Sequence, residues 1–351
     1  MSVSGTLRST LYLSDEPCTT DQTPSAENFA IRRTKERMAR SDGDSWEITE
    51  SVGSTALGVA SARDAETHSE NPLISDPYAG HFLAAAGDGV WSMYRFDGEP
   101  PAALLEAEPR LVERIAAMRS YVACRTKFFD DFFREASGAG IRQAVILAAG
   151  LDARAWRLDW PTDVVLFELD LPTVLAFKAD TLDAQGATAR VRHVPVAVDL
   201  RDDWPAALAA GGFDAGEPAA WIAEGLLPYL PPAAQDLLFE RIDSLSVPGS
   251  RVAVENFGEG FFDPEILARQ RERGQAFRRA AENLQDQDIP DVAELWYLEE
   301  RTDAGEFLSG HGWQVTSETT PALLARHGRS IPADLPDATP HSAFLFAQKT
   351  G

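Results

Sequence analysis

Cysteine is almost missing from this 351-residue chain, which has only Cys18 and Cys124. Two cysteines make neither a disulfide framework nor a metal-ligand cluster, and a reducing cytoplasm is the expected compartment. Basic charge is scarce: 32 Lys and Arg stand against 55 Asp and Glu, for a formal net charge of −23. Such a surface repels phosphate backbones, which excludes nucleic acid as a default partner. Solubility is the plain role of that charge. No apolar run reaches the length of a membrane helix, so no membrane span is expected. The opening "MSVSGTLRSTLYLSDEPCTTDQ" holds no apolar stretch ahead of a cleavage site, so no secretory leader is expected either. The six histidines show no metal-ligand spacing. Two glycine patterns are also missing. Without G-x-G-x-x-G the chain lacks the seat for a dinucleotide pyrophosphate, and without G-x-x-x-x-G-K-[ST] it lacks a triphosphate loop.

What remains is an ordinary globular composition, 44% hydrophobic and 25% charged. Residues 1–45 are polar and aperiodic, a flexible arm with one helix candidate at "AENFAIRRTKERMAR". Residues 46–140 read as a helical cap: "STALGVASARDAE" and "EPRLVERIAAMRSYVACRTKFFDDFFREA" repeat apolar residues every three or four positions. Between them, "NPLISDPYAGHFLAAAGDGV" is broken by prolines and glycines.

From Gln143 onward apolar runs alternate with helical segments. "AVILAA", "DVVLFELD", "RVRHVPVAVDL", "AAWIAEGLL" and "SRVAVENF" are strands, with "ARAWRLDW", "TVLAFKADTLDA", "WPAALAAG" and "PPAAQDLLFERIDSLS" between them. That order predicts an α/β doubly wound parallel sheet over 141–351. A helical insertion at about 259–300 comprises "EILARQRERGQAFRRAAENL" and "DVAELWYLEER". "GWQVTSET" and "HSAFLFAQK" are strands that close the sheet antiparallel.

Ligands of open parallel sheets bind beyond the carboxyl ends of the strands. Four such ends carry informative residues. The first is Ala149-Gly150-Leu151-Asp152, where glycine lets the backbone approach a ligand. The second is Glu168-Leu169-Asp170, with a carboxylate for ribose hydroxyls. The third is Asp199-Leu200, an acid for an adenine amino group beside an apolar neighbour. The fourth is Glu224-Gly225-Leu226-Leu227-Pro228-Tyr229, facing the reacting centre. Each has a plainer reading: a turn glycine, or N-caps at Asp152 and Asp202. Taken together, acid-tipped strands suit a cationic adenosine ligand without phosphates, and S-adenosylmethionine is one.

"VGSTALGVASARDAE", "NPLISDPYA", "RTKFFDDFF", "VILAAGLDARAWRLDWP", "VVLFELDLP", "VDLRDDWPAAL" and "AEGLLPYLP" follow one another across roughly residues 50–257. In that order they resemble the actinobacterial S-adenosylmethionine-dependent methyltransferases related to leucine carboxyl methyltransferase. The resemblance implies a class I methyltransferase (Rossmann-like) fold with an antiparallel last strand and a helical N-terminal cap. It also implies cofactor residues: Arg125 for the carboxylate, Gly150 in the loop, Asp170 for the ribose, Asp199 and Leu200 for the adenine, and Glu224 beside the methionyl end. Asp152 and Glu168 join them as strand-tip acids, with Asp170 preferred over Glu168. Arg125 on an amphipathic helix has an alternative as a surface residue paired with Asp130 or Asp131.

Methyl transfer from a sulfonium needs alignment and exclusion of water more than covalent help. A carboxylate acceptor is already ionised at neutral pH, whereas a phenol would want a base, and no histidine accompanies the fourth strand. Carboxyl O-methylation of a small molecule or peptide is therefore expected, with hydroxyl methylation in secondary metabolism or a non-catalytic adenosine-binding protein as alternatives. Arg63, Arg119 or an arginine of 259–300 would hold the acceptor. Tyr229 could line the transfer site or serve as a packing residue. The apolar edge of the cap suits a homodimer or a lid.

Overall fold

The computed structural model describes residues 51–87, 100–257, 261, 263–285 and 295–351. The N-terminal arm and its helix candidate lie outside them. Among the described residues four helices precede the first strand: α1 (Ser51–Thr67), α2 (Ala79–Ala86), α3 (Ala102–Ala107) and α4 (Leu111–Gly138). The outer two were legible from their periodicity. The inner two are short: α2 stands in the proline-broken stretch and α3 follows Pro100 and Pro101.

The chain then alternates, through β1 (Gln143–Leu147), α5 (Arg154–Arg157), β2 (Val165–Asp170), α6 (Pro172–Ala184) and β3 (Arg192–Ala197). It continues with α7 (Trp204–Ala210), β4 (Ala219–Ala223), a 3₁₀ turn (Leu227–Tyr229), α8 (Pro232–Ser244) and β5 (Arg251–Phe257). Next come α9 (Pro264–Gln285), α10 (Ala304–Gly310), β6 (Trp313–Thr319), α11 (Thr320–Arg326) and β7 (Ser342–Lys349). The seven strands lie in the order β3-β2-β1-β4-β5-β7-β6. β1 to β5 are parallel, and β7 runs antiparallel between β5 and β6. Only β7 opposes the rest, because β6, antiparallel to β7, shares the direction of β5. This is the doubly wound sheet of the class I methyltransferase fold, with its antiparallel last strand and a helical N-terminal cap.

Side chains alternate across each strand and sort the core into two layers. Ala144, Ile146, Leu166, Ile222 and Ala253 face the layer holding Leu57, Phe82, Tyr121, Phe129 and Phe133 of the cap helices. Val145, Leu147, Phe167, Trp221 and Val254 face the other, with Trp204, Leu208, Phe239 and Leu308. The cap therefore shares one hydrophobic cluster with the sheet. Strands buried on both faces explain why the sequence runs are continuously apolar rather than alternating.

The second helix expected in the insertion differs: 295–300 carry no α-helix, and 291–294 lie outside the described residues. Trp296 packs against Phe261 there, at 5.0 Å between ring centres. The half-buried Trp296 packs against the core cluster on the far side of the sheet from the cap. Asp202 is not the N-cap of α7. Asp203 is, accepting the Ala206 N–H.

Candidate active site

The crossover from β1 sits where the strand order reverses, with β2 on one side and β4 on the other. Its loop is tightly turned. Ala148 has φ +52 and Gly150 φ +49, and a side chain in that left-handed region is uncommon. The Gly150 N–H donates to Asp170 Oδ2 at 2.6 Å, and the Leu171 N–H to Asp170 Oδ1 at 2.7 Å. The N–H that would greet a pyrophosphate is thus taken by a carboxylate, which agrees with a phosphate-free ligand. Burial raises the Asp170 carboxyl above its ordinary range, while those two N–H donors pull it down.

Glu168 lies two residues earlier on β2, hence on the same face as Asp170. It is completely buried. Its Oε2 meets Lys178 Nζ at 2.6 Å and His193 Nε2 at 2.8 Å. The alternation of side chains puts both acids on one face, and they differ in depth: Glu168 is fully buried and Asp170 part-buried. His193 also packs its ring on Trp156.

Around the tip of β4 a chain of buried ion pairs crosses from α4 to α5. Arg125 Nε lies 3.0 Å from Glu224 Oε1 and its Nη1 lies 3.2 Å from Glu255 Oε2. Arg154 reaches Asp130 at 2.7 Å, Glu224 at 2.8 Å, and Asp152 more closely still. Arg157 closes on Asp130 at 2.5 Å. The helical pairing of Arg125 with Asp130 or Asp131 does not form. Asp130 turns to the two arginines of α5, and Asp131 pairs with Lys127 and Arg134. Asp152 is held inward, its Oδ1 accepting the Arg154 N–H at 2.6 Å. Burial works against its charge, but Arg154, Arg157 and Lys178 outweigh it and hold the carboxyl below its ordinary value. Three arginines meet four carboxylates in this network, which leaves one negative charge uncompensated when all are ionised.

The third tip is looser. Asp199 accepts two hydrogen bonds from Arg201 Nε and one from its Nη2, and Leu200 packs part-buried against the α7 side of the core. Tyr229 ends the 3₁₀ turn after Glu224, its hydroxyl 3.4 Å from Thr55 Oγ1 of the cap.

The arginines expected to hold an acceptor are Arg63, Arg119 and one of the insertion. Arg63 is buried, pairs with Asp76 at 2.9 Å, and donates to the Leu151 carbonyl at 2.7 Å. It thus ties the cap to the β1 loop. Arg119 is half-buried on α4, roughly 120° around the helix from Arg125. Arg273 of α9 joins Glu108 and Asp337 at 3.3 and 2.7 Å.

The sequence reading missed Arg154, Arg157, Tyr121, Lys178 and Glu255. "DARAWR" places Arg154 and Arg157 three apart after an acid, and that was the available signal. Their partners on α4 and just after β4 lie 24 to 70 residues away and leave no local trace. Among the described residues there is no cluster able to hold a metal ion and no helix long and apolar enough to cross a membrane.

A model of the leucine carboxyl methyltransferase family matches residues 56–243. A protein of Mycobacteroides abscessus described as a "Putative S-adenosyl-L-methionine-dependent methyltransferase" is 86% identical over 89% of this chain and 99% of its own length. Relatives with the same description from Mycobacterium avium and Mycobacterium marinum are 56% and 54% identical over 89% of this chain, covering 99% and 100% of their lengths.

Proposed function

The chain belongs to the leucine carboxyl methyltransferase family and is an S-adenosyl-L-methionine-dependent methyltransferase, and on that premise we propose that it methylates a carboxylate oxygen of a small molecule or peptide. The observation that carries the cofactor placement is the charge of the strand-tip network, where three arginines leave one of four carboxylates unbalanced. A ligand with a sulfonium, an ammonium and one carboxylate carries the matching single positive charge.

In this reading Asp170 accepts from the ribose hydroxyls with lone pairs not taken by Gly150 and Leu171. Asp199 and Leu200 take the adenine. Glu224 faces the ammonium, Arg125 the carboxylate, and Gly150 keeps the loop free of a side chain. When bound, S-adenosyl-L-methionine supplies the electrophilic methyl on its sulfonium. The protein's part is to hold that methyl in line with an acceptor oxygen and to keep water out. Tyr229, on the turn after Glu224, lines the transfer site. Among the described residues no histidine joins the network, which supports an acceptor that needs no general base.

The test is transfer of a radiolabelled methyl group to a panel of carboxylic acids and phenols, followed by mild base. Volatile methanol released from the product marks an ester. A base-stable product would move the reading to hydroxyl methylation. Cofactor binding without transfer to any member would support a non-catalytic adenosine-binding role.

A further inference from the structure

Glu255 of β5 is one of the four carboxylates of the strand-tip network and makes no contact assigned to the cofactor itself. It is completely buried on the face of the sheet that α4 covers. Its Oε2 accepts the Gly225 N–H at 2.7 Å and faces Arg125 Nη1 at 3.2 Å. Its Oε1 accepts the Tyr121 hydroxyl, which lies 2.9 Å from Ser342 Oγ of β7. One carboxylate therefore touches α4 twice and the turn after β4 once.

We propose that Glu255 is a positioning residue for the amino-acid end of the cofactor, fixing Arg125 and the Glu224-Gly225 turn relative to each other. The proposal rests on the assignment of Arg125 and Glu224 above.

Three features support it. Gly225 has φ +63, a conformation glycine adopts without a side-chain penalty, and its peptide N–H is anchored by Glu255. Without that acceptor the peptide is free to turn and to carry Glu224 with it. Arg125 is shared, with Nε on Glu224 and Nη1 on Glu255. A guanidinium forked onto Glu224 alone would consume both partners and leave neither for a ligand. Finally, Tyr121 and Arg125 stand one helical turn apart, so Glu255 grips α4 at two successive points of one face. Burial raises the Glu255 carboxyl, while Arg125, Tyr121 and the Gly225 N–H favour its charged form.

The experiment compares two ligands by calorimetry on the full-length protein. S-adenosylhomocysteine carries the amino-acid end, and 5′-methylthioadenosine has the same adenosine and sulfur without it. Glu255→Gln keeps an oxygen for Gly225 and removes the charge opposite Arg125. It is expected to lower the preference for S-adenosylhomocysteine about tenfold, while methylthioadenosine affinity stays within about twofold. Tyr121→Phe is expected to move the preference the same way by less, and it supplies the readout if Glu255→Gln does not fold. An unchanged preference overturns the proposal, and so does an equal loss on both ligands, which marks a scaffold contact only. Arg125→Gln separates the two levels. If it lowers the preference and Glu255→Gln does not, the proposal alone falls. If neither variant lowers it, the assignment of the amino-acid end falls and takes the proposal with it.

Discussion

Arg154 and Glu224, 70 residues apart in the chain, meet at 2.8 Å beneath the switch in strand order. Arg154 also holds Asp130 on α4 and Asp152 on the β1 loop, with almost no exposure of its own. It is the node through which three separate segments of the site keep one arrangement.

Removing that node takes a partner from three buried carboxylates and leaves Asp152 without its arginine, while Asp130 keeps Arg157 and Glu224 keeps Arg125. Arg154→Met is expected to destabilise the fold by about 3–5 kcal/mol, the cost of breaking a buried ion pair and leaving its partner charged. Arg154→Lys keeps the charge but loses the planar fork and recovers only part of that. Denaturant titration of the three proteins checks the order.

Asp170→Ala removes the acceptor of two backbone N–H groups as well as the proposed ribose ligand. S-adenosyl-L-methionine affinity is expected to fall at least tenfold, with a stability loss of about 1–3 kcal/mol from the orphaned donors. Calorimetric titration and thermal melts read the two effects separately. Unchanged cofactor affinity would withdraw Asp170 from the site.

Arg63→Lys distinguishes two roles. Its contacts to Asp76 and to the Leu151 carbonyl make it a clamp on the cofactor loop. The cofactor KM is expected to rise several-fold while the acceptor KM holds. The opposite split, measured by steady-state kinetics, would return Arg63 to the acceptor.

Acid should weaken the fold through Asp130, which burial disfavours as a charge but Arg157 and Arg154 hold below the ordinary value of 3.8. A carboxyl depressed in the folded state contributes stability above its unfolded value and loses it as pH falls through the folded one. Melting temperature is therefore expected to drop below about pH 4 in the native protein. Asp130→Asn should start lower and show a shallower decline in the same scan.

Tyr229→Phe removes a hydroxyl that reaches Thr55 Oγ1 at 3.4 Å. If the ring only lines the transfer site, kcat stays within about twofold. A loss of tenfold or more would assign the hydroxyl a part in handling the acceptor.

Much of the architecture was legible because buried parallel strands and amphipathic helices write their periods into the chain. "AVILAA", "VVLFELD" and "AAWIA" became β1, β2 and β4, and the long 3.6-residue pattern before Gly138 became α4. The short helices α2, α3, α10 and α11 were not legible. At six to eight residues they hold too few turns for a period, and unlike α5 and α7 they do not fall between strands of the parallel run β1 to β5, whose connections call for a helix. The site divides along the same line. Asp170, Gly150 and Glu224 stand at strand ends that local pattern reveals. Glu168, equally acidic and two residues from Asp170, could be told from it only by depth.

By itself the sequence determined the alternation of strands and helices, the acid-tipped strand ends and the single glycine of the β1 turn that argues against a dinucleotide, since all three are local properties of runs and turns. Tertiary structure alone decided which charges meet. Ion pairs such as Arg125–Glu255, Arg154–Asp130 and Lys178–Glu168 join residues distant in the chain. A charge in the interior is tolerated only beside its partner, and that partner is chosen by how helices lie on the sheet rather than by spacing along the chain.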